Sequence, residues 1–124
     1  MNITKDVVPK ALGPYSQTVK ANGLIFCAGQ IGIDPSTYEV VEGIENQTHR
    51  VLKNLQLVLE ESGLGLDKIV KATLYLANMT DLAKVNKIYS TYFTKNKPAR
   101  ATVGVRSLPK GVLLEIDAIA IDSR

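Results

Sequence analysis

The last regular segment of the chain constrains the fold most, because it is apolar on both sides. Residues 112–121 have the sequence VLLEIDAIAI, and successive side chains of a β-strand point to opposite faces of a sheet. One face would carry Val112, Leu114, Ile116, Ala118 and Ala120, and the other Leu113, Glu115, Asp117, Ile119 and Ile121. The segment therefore predicts a strand in a sheet whose two faces are both covered.

Three other segments have the patterns of strands. Residues 24–28 form a short apolar run between Gly23 and Gly29, which predicts a buried strand followed by a tight turn or bulge. Residues 69–77 alternate between apolar and polar side chains. Residues 100–105 alternate as well, with polar or small side chains on one face, and a turn is predicted at 108–111.

Two segments have the spacing of amphipathic helices. The first is predicted from Ile44 to Ser62-Gly63, where glycine can take the left-handed conformation that ends a helix. Its apolar stripe comprises Val51, Leu52, Leu55, Val58 and Leu59. The second is predicted from Thr80-Asp81, which can cap it, to about Phe93. Its inward residues would be Leu82, Val85, Ile88, Tyr89 and Tyr92.

The order of these elements predicts an α+β fold with a mixed sheet and both helices on one face. We expect a single domain over residues 1–124. The face without helices carries Ile119 and Ile121, and contiguous exposed apolar residues usually mark an association surface. A homo-oligomer that buries this face is therefore predicted, and the alternative is a monomer in which loops cover it.

The residue counts exclude several classes of function. One histidine and one cysteine cannot supply an ordinary zinc site, and no nucleotide-binding glycine motif occurs, so neither a metal nor a cofactor is expected. The charge of +3 comes from scattered Lys and Arg residues, so nucleic acid is not an expected partner. The lone Cys27 and an N-terminus without the apolar core of a signal peptide predict a cytoplasmic protein, with no membrane-spanning segment.

A small hydrolytic site is predicted where the last two strands meet. Arg100 and Thr102 lie on one side of their strand, and Glu115 and Asp117 share a side of its expected hairpin partner. A guanidinium recognises a carboxylate through two hydrogen bonds, and a carboxylate in a half-dry cleft can act as a general base toward water. The alternative is a cross-strand ion pair without a function.

Two other reactive side chains are predicted to be structural. His49 falls outside the apolar stripe of the first helix, so a solvated or half-packed ring is expected. Cys27 lies in an apolar run without a neighbouring cation that would activate its thiol. We therefore expect that thiol to be buried and unreactive.

Five short motifs occur in an order that is more specific than any one of them. They are residues 13–17 (GPYSQ), 28–31 (AGQI), 85–89 (VNKIY), 98–100 (PAR) and 108–120, from LPK to EIDAIA. Through these motifs the chain resembles the Rid (YjgF-like) family over nearly its whole length.

The resemblance implies a chorismate-mutase-like (YjgF) fold, with a mixed six-stranded sheet and two helices packed on one face. It implies a homotrimer in which the sheets form a trimeric barrel and the active sites lie between subunits. It also implies a cofactor-independent enzyme that hydrolyses the 2-imino acids 2-iminopropanoate and 2-iminobutanoate to 2-keto acids and ammonia.

The family's site residues can be carried over to this chain motif by motif. Arg100 would bind the substrate carboxylate, aided by backbone N–H near Thr102, and Glu115 would activate the attacking water. The cleft would be lined by Tyr15, Gly29 and Asn86. Thr102 stands where many members have cysteine, and this leaves the preferred side chain of the substrate open.

Two other classes of function are compatible with the sequence. One is RNA binding with ribonuclease-type inhibition of translation, for which the chain offers Lys95, Lys97, Arg100, Arg106 and Lys110. A metal-independent ribonuclease usually needs paired acid and base groups such as histidines, and this chain has one. The other is a non-catalytic or chaperone-like module that captures a small carboxylate with Arg100.

Overall fold

A five-stranded sheet with two helices on one face makes up the computed structural model, which describes residues 7–122. The strands are β1 (Thr18–Ala21), β2 (Leu24–Ile31), β3 (Ile69–Leu76), β4 (Ala99–Gly104) and β5 (Leu114–Ile121). The helices are α1 (Ile44–Glu60) and α2 (Leu82–Tyr92). The strand order is β1-β2-β5-β3-β4, with β3 and β4 parallel and the other neighbours antiparallel.

The predicted α+β class, the mixed sheet and the two helices are confirmed. The predicted six-stranded sheet is not, because the sheet has five strands within residues 7–122. The sequence pattern does not predict β1, whose four residues are half-buried or exposed and show no alternation. Strand β2 continues past the predicted 24–28 segment to Ile31.

Strand β5 lies in the middle of the sheet and alternates as predicted. Its buried residues Leu114, Ile116, Ala118 and Ala120 belong to the core beneath the helices. The intervening residues Glu115, Asp117 and Ile119 are half-buried on the other face. Val112 is also buried, but it precedes the strand.

Helix α1 buries its predicted stripe against the sheet. Val51, Leu52, Leu55 and Leu59 are fully buried, and Val58 is nearly so. The helix ends as predicted, because Gly63 has a left-handed φ of 75°. The Leu64 N–H donates to the Leu59 carbonyl at 3.1 Å, which satisfies one of the last carbonyls of the helix.

Helix α2 begins near the predicted position, after a short 3₁₀ turn at Met79–Asp81. The side chain of Asp81 makes no capping hydrogen bond, so its predicted capping role is wrong. Val85 and Tyr89 are buried, while Leu82, Ile88 and Tyr92 are half-buried. The inward face of this helix is therefore as predicted.

Strand β4 does not form the predicted hairpin with β5. It pairs in parallel with β3, which separates it from β5, because strands joined by a helical crossover lie parallel and side by side. Arg100 pairs with Ala72, which is buried beneath the helices. Val103 pairs with Tyr75, and Tyr75 pairs on its other side with Glu115. Arg100 and Glu115 therefore point to opposite faces of the sheet, which corrects the prediction that they share one.

Buried polar side chains of α1 hold the loops at one end of the sheet. Asn54 is fully buried and donates to the carbonyls of Ile31 at 3.2 Å and Ile33 at 2.9 Å. Gln47 accepts from the Leu113 N–H at 2.8 Å and donates to the Val41 carbonyl at 3.1 Å. These bonds fix the chain where β2 ends and where β5 begins.

The face of the sheet opposite the helices, here called the bare face, keeps apolar side chains in solvent. Phe26, Val103 and Ile121 are each 41% exposed, and Val19 is 53% exposed. Loops of residues 7–122 leave these four side chains uncovered, and the homo-oligomer predicted to bury this face stays a prediction. Within the same residues, no helix has the length and apolar character needed to cross a bilayer.

Replacing Asn54 with alanine should lower the free energy of unfolding by about 2–4 kcal/mol, because the carbonyls of Ile31 and Ile33 lose their donor and a cavity opens. Urea denaturation at one fixed protein concentration measures this change. Gln56→Ala, at a half-buried position of the same helix, should change the free energy by less than about 0.5 kcal/mol. An equally small change for Asn54→Ala would contradict the role assigned to its amide.

Candidate functional site

A pocket of about 510 Å³ opens at the end of the sheet where β2 and β5 meet. Three of the six predicted site residues, Tyr15, Gly29 and Glu115, line it together. The remaining lining residues are Leu12, Ser16, Ala28, Ile31, Pro109 and Lys110. The pocket thus combines one carboxylate with a phenol, a lysine and a mostly apolar wall.

Gly29 leaves the space in which the Glu115 carboxylate lies. A Cβ atom added at Gly29 would lie 2.8 Å from the Glu115 carboxyl carbon and closer still to one of its oxygens. Real Cβ atoms do not approach other atoms so closely, so any side chain here would displace the carboxylate. The predicted role of Gly29 in the cleft therefore has a steric basis.

Gly29 belongs to a β-bulge that the sequence predicted only as one of two options. Between Cys27 and Gln30, strand β2 has two residues where β5 has one. The buried Gln30 amide donates to the Ala28 carbonyl at 3.2 Å and to the Gln17 side-chain oxygen at 3.0 Å. These bonds stabilise the irregular backbone beneath the pocket.

Tyr15 projects from the loop before β1 and is 51% exposed. A tight turn places it, because its N–H donates to the Gly13 carbonyl at 2.8 Å. Its hydroxyl accepts a hydrogen bond from the Leu12 N–H at 3.3 Å. The phenol therefore forms an exposed rim of the pocket, and its hydroxyl can still donate to a ligand.

The environment of Glu115 favours its protonated form more than water does. Burial raises the pKa of this carboxyl group, and the negative charge of Asp117 raises it further. Asp117 is held in place by the Tyr75 hydroxyl, which donates to it at 2.9 Å. A half-buried carboxylate with a raised pKa is a better proton acceptor than a solvated one.

Lys110 is a pocket residue that the site prediction did not include. It adopts a left-handed φ of 57° in the turn before β5, and its ammonium donates to the Tyr38 carbonyl at 3.2 Å. The sequence predicted a turn at this place, but not that Lys110 would line the pocket. The lining therefore includes a cation that the site prediction missed.

The other three predicted site residues lie on the helix side of the sheet. The Arg100 guanidinium carbon lies 5.0 Å from the centre of the Tyr89 ring of α2. Thr102 shares the face of Arg100, because it lies two residues further along β4. Asn86 is exposed and precedes Tyr89 by about one helical turn. One chain therefore divides the predicted site residues into two groups, here called half-sites, with Glu115, Tyr15 and Gly29 at the pocket and Arg100, Thr102 and Asn86 on the helix side.

Cys27 and His49 lie outside both half-sites. Cys27 is buried as predicted, and burial followed by the charge of Asp117 raises the pKa of its thiol to about 11. His49 is exposed as predicted, and its Nδ1 lies 2.7 Å from the Tyr92 hydroxyl. Among residues 7–122, no three His, Cys, Asp or Glu side chains are grouped so that they could hold a metal ion.

Comparisons with known proteins identify the family of this chain. The family model described as Endoribonuclease L-PSP matches residues 5–122. A RutC family protein of Pyrococcus abyssi is 51% identical over 119 residues, which cover 95% of this chain and 94% of the relative. The chloroplastic Reactive Intermediate Deaminase A of Arabidopsis thaliana is 44% identical, covering 95% of this chain and 64% of that protein.

A solved structure shares the fold. The crystal structure of E. coli TdcF with bound serine matches with a TM-score of 0.89 and 34% identity, covering 97% of this chain and all of the other. The family model spans nearly the whole chain, and the identities are well above those at which only a fold is shared. The chain belongs to the Rid (YjgF-like) family, which is also described as the endoribonuclease L-PSP family.

Proposed function

We propose that this protein hydrolyses 2-imino acids, such as 2-iminopropanoate and 2-iminobutanoate, to 2-keto acids and ammonia. The observation that carries the proposal is the Glu115 carboxylate, which lies over Gly29 in a pocket where burial raises its pKa. Such a group is suited to take a proton from a water molecule. The Arabidopsis relative is named a reactive intermediate deaminase, which supports the same chemistry.

The structure of TdcF with bound serine supports the substrate class. Serine carries a carboxylate and a nitrogen on the same carbon atom, as a 2-imino acid does. A substrate of this shape needs a cation for its carboxylate and a general base near the carbon that bears the nitrogen. The two half-sites of this chain supply one of these groups each.

A complete site would require two copies of the chain. Arg100 and Glu115 point to opposite faces of one sheet, so a second copy has to bring Arg100, Thr102 and Asn86 to the Glu115 pocket. The exposed apolar side chains of the bare face supply a reason to associate, because burying them removes apolar surface from water. The homotrimer of sheets that the family resemblance implies would provide three such sites.

In this mechanism Arg100 binds the substrate carboxylate with two parallel hydrogen bonds, and backbone N–H near Thr102 assists. The carboxylate is thereby fixed so that C2 faces a water molecule on Glu115. Glu115 accepts a proton as the water oxygen bonds to C2, and the imine nitrogen takes up a proton from solvent to give a carbinolamine. Glu115 then returns its proton to the nitrogen. The C–N bond breaks as the hydroxyl group loses its proton to solvent, and ammonia leaves as the carbonyl forms.

The remaining pocket residues are assigned to binding. The Tyr15 hydroxyl can donate to the water or to the substrate, and Asn86 can bind from the partner's side. Imines hydrolyse without a catalyst, so orientation and one general base are sufficient help. Thr102 in place of the family's frequent cysteine is compatible with this scheme, because the scheme uses the backbone of that residue and not its side chain.

Cleavage of RNA is the second candidate, because the matched family is described as an endoribonuclease. The pocket around Glu115 contains no histidine that could act as the second acid–base group. The residues of the pocket therefore suit imine hydrolysis better than RNA cleavage. Incubating the protein with single-stranded RNA, with and without Glu115→Gln, distinguishes the two activities.

Arg100→Ala and Glu115→Gln should each reduce imine hydrolysis at least about 100-fold, because they remove the anchor and the base. The 2-imino acids are generated by an amino-acid oxidase, and semicarbazide traps what has not been hydrolysed. Lys68→Ala and Glu60→Gln, at exposed positions outside the pocket, are the matched charge controls and should keep wild-type rates. No acceleration by the wild-type protein would overturn the proposal.

Hydrolysis should slow as the pH falls through the raised pKa of Glu115, because a protonated carboxyl group cannot accept a proton from water. Asp117→Asn removes a negative charge that raises this pKa, and it keeps an oxygen that can accept from Tyr75. The variant should therefore move the acid side of the kcat/KM profile to lower pH. Asp67→Asn, at an exposed position, should leave the profile in place. A shift to higher pH for Asp117→Asn would contradict the assignment of Glu115 as the base.

A further inference from the structure

A second pocket lies in an open groove beside helices α1 and α2, outside both half-sites. It has a volume of about 460 Å³ and is lined by Val41, Asn46, His49, Arg50, Lys53 and Tyr92. Four of these residues follow one another on one face of α1 at positions 46, 49, 50 and 53, a spacing that aligns side chains along a helix. Two cations, an imidazole, an amide and a phenol therefore border one small volume.

Arg50 is held in position by the core of the protein. Its Nε donates to the Asn54 side-chain oxygen at 2.9 Å, and Asn54 is fixed by the carbonyls of Ile31 and Ile33. Its Nη2 is buried and has no hydrogen-bond partner within residues 7–122, so this atom is shielded from solvent. The guanidinium is held at the pocket wall through its Nε, and the part of it that lines the pocket can bind an anion with little loss of side-chain entropy.

Two further polar groups of the pocket, His49 of α1 and Tyr92 of α2, contact each other. The His49 ring and the Tyr92 hydroxyl lie 2.7 Å apart, which fixes both. Burial raises the pKa of Tyr92, and the positive charges of Lys53 and Arg50 act in the opposite direction. No carboxylate is among the lining residues, so an anion entering this pocket meets attraction from several sides.

From this geometry we propose that the pocket binds the phosphate group of a small organic phosphate. Arg50 forms charge-assisted hydrogen bonds to the phosphate oxygens, Lys53 contributes a second positive charge, and the Tyr92 hydroxyl donates from the other side. A phosphate has enough oxygen acceptors to satisfy these donors together. A singly charged carboxylate, with two oxygens, satisfies fewer of them.

The neighbouring pocket gives room for the rest of such a ligand. It has a volume of about 630 Å³, and it shares Asn46 and His49 with the phosphate pocket. Its lining also includes Ile88, the cations Lys84 and Lys87, and one carboxylate, Glu45. An organic group joined to the phosphate can lie along Ile88, and a second anionic group on the ligand can meet a lysine.

Titration with inorganic phosphate and with ribose 5-phosphate tests the proposal, with affinities from calorimetry and positions from amide resonances of ¹⁵N-labelled protein. Both probes should saturate and shift the resonances of His49, Arg50 and Tyr92. Arg50→Gln keeps a donor for Asn54 and should raise Kd about tenfold or more. Tyr92→Phe removes the hydroxyl alone and should raise Kd about threefold or more. Lys68→Gln removes one exposed cation elsewhere and should leave Kd unchanged.

The two probes separate the two sources of a phosphate group. Tighter binding of ribose 5-phosphate supports an organic phosphate, and equal binding supports free phosphate at the same residues. The proposal is overturned if the Kd of both probes is above about 10 mM, because binding would then be too weak to matter. It is also overturned if Lys68→Gln weakens binding as much as Arg50→Gln, because phosphate binding would then depend on the net charge of the protein and not on the pocket. This test does not depend on imine hydrolysis, so either proposal can fail alone.

Discussion

The two-residue alternation of β5 is the constraint on which the rest of the structure depends. Its inner residues are buried beneath both helices, and the same strand presents Glu115 and Asp117 on the bare face. A shift of one residue in its register would exchange these two sets and bury two carboxylates in the core. Such a shift is very unfavourable, so packing of the core also fixes the position of the proposed general base.

The bulge in β2 makes room for the pocket beside the Glu115 carboxylate. Because two residues of β2 oppose one residue of β5, Gly29 comes to lie beneath the Glu115 carboxylate. Gln30 remains buried and stabilises the bulge through its side-chain amide. The polar residues of α1 then hold the ends of the neighbouring strands. Core packing and polar hydrogen bonds thus hold the residues around a pocket that is partly open to solvent.

Sequence periodicity predicted the elements whose burial follows a regular repeat. The stripe of α1, the alternation of β5 and the glycine that ends α1 were all predicted correctly, because each depends on neighbours close in the chain. The position of β4 was not, since adjacent segments in sequence suggested a hairpin. The crossover through α2 instead places β4 beside β3. The choice between a turn and a bulge at Gly29 also depended on contacts distant in sequence.

The strand patterns indicated Arg100, Thr102 and Glu115 as site residues, and the family motifs added Tyr15, Gly29 and Asn86. The structure describes where the six residues lie. It brings Tyr15, Gly29 and Glu115 together, and it separates them from Arg100 by the sheet itself. The central claim is therefore that a working site takes Glu115 from one chain and Arg100 from another. The periodicity of one chain could not predict this shared site, because it carries no information on which surfaces of two copies meet.

Mixing two inactive variants tests this claim most directly. Arg100→Ala and Glu115→Gln chains are unfolded together in equal amounts, refolded, and assayed for imine hydrolysis beside wild-type protein treated in the same way. Random assembly around a symmetric interface should restore about one quarter of the wild-type rate, because one interface in four joins an intact Glu115 to an intact Arg100. A mixture no more active than either variant alone would contradict the shared site.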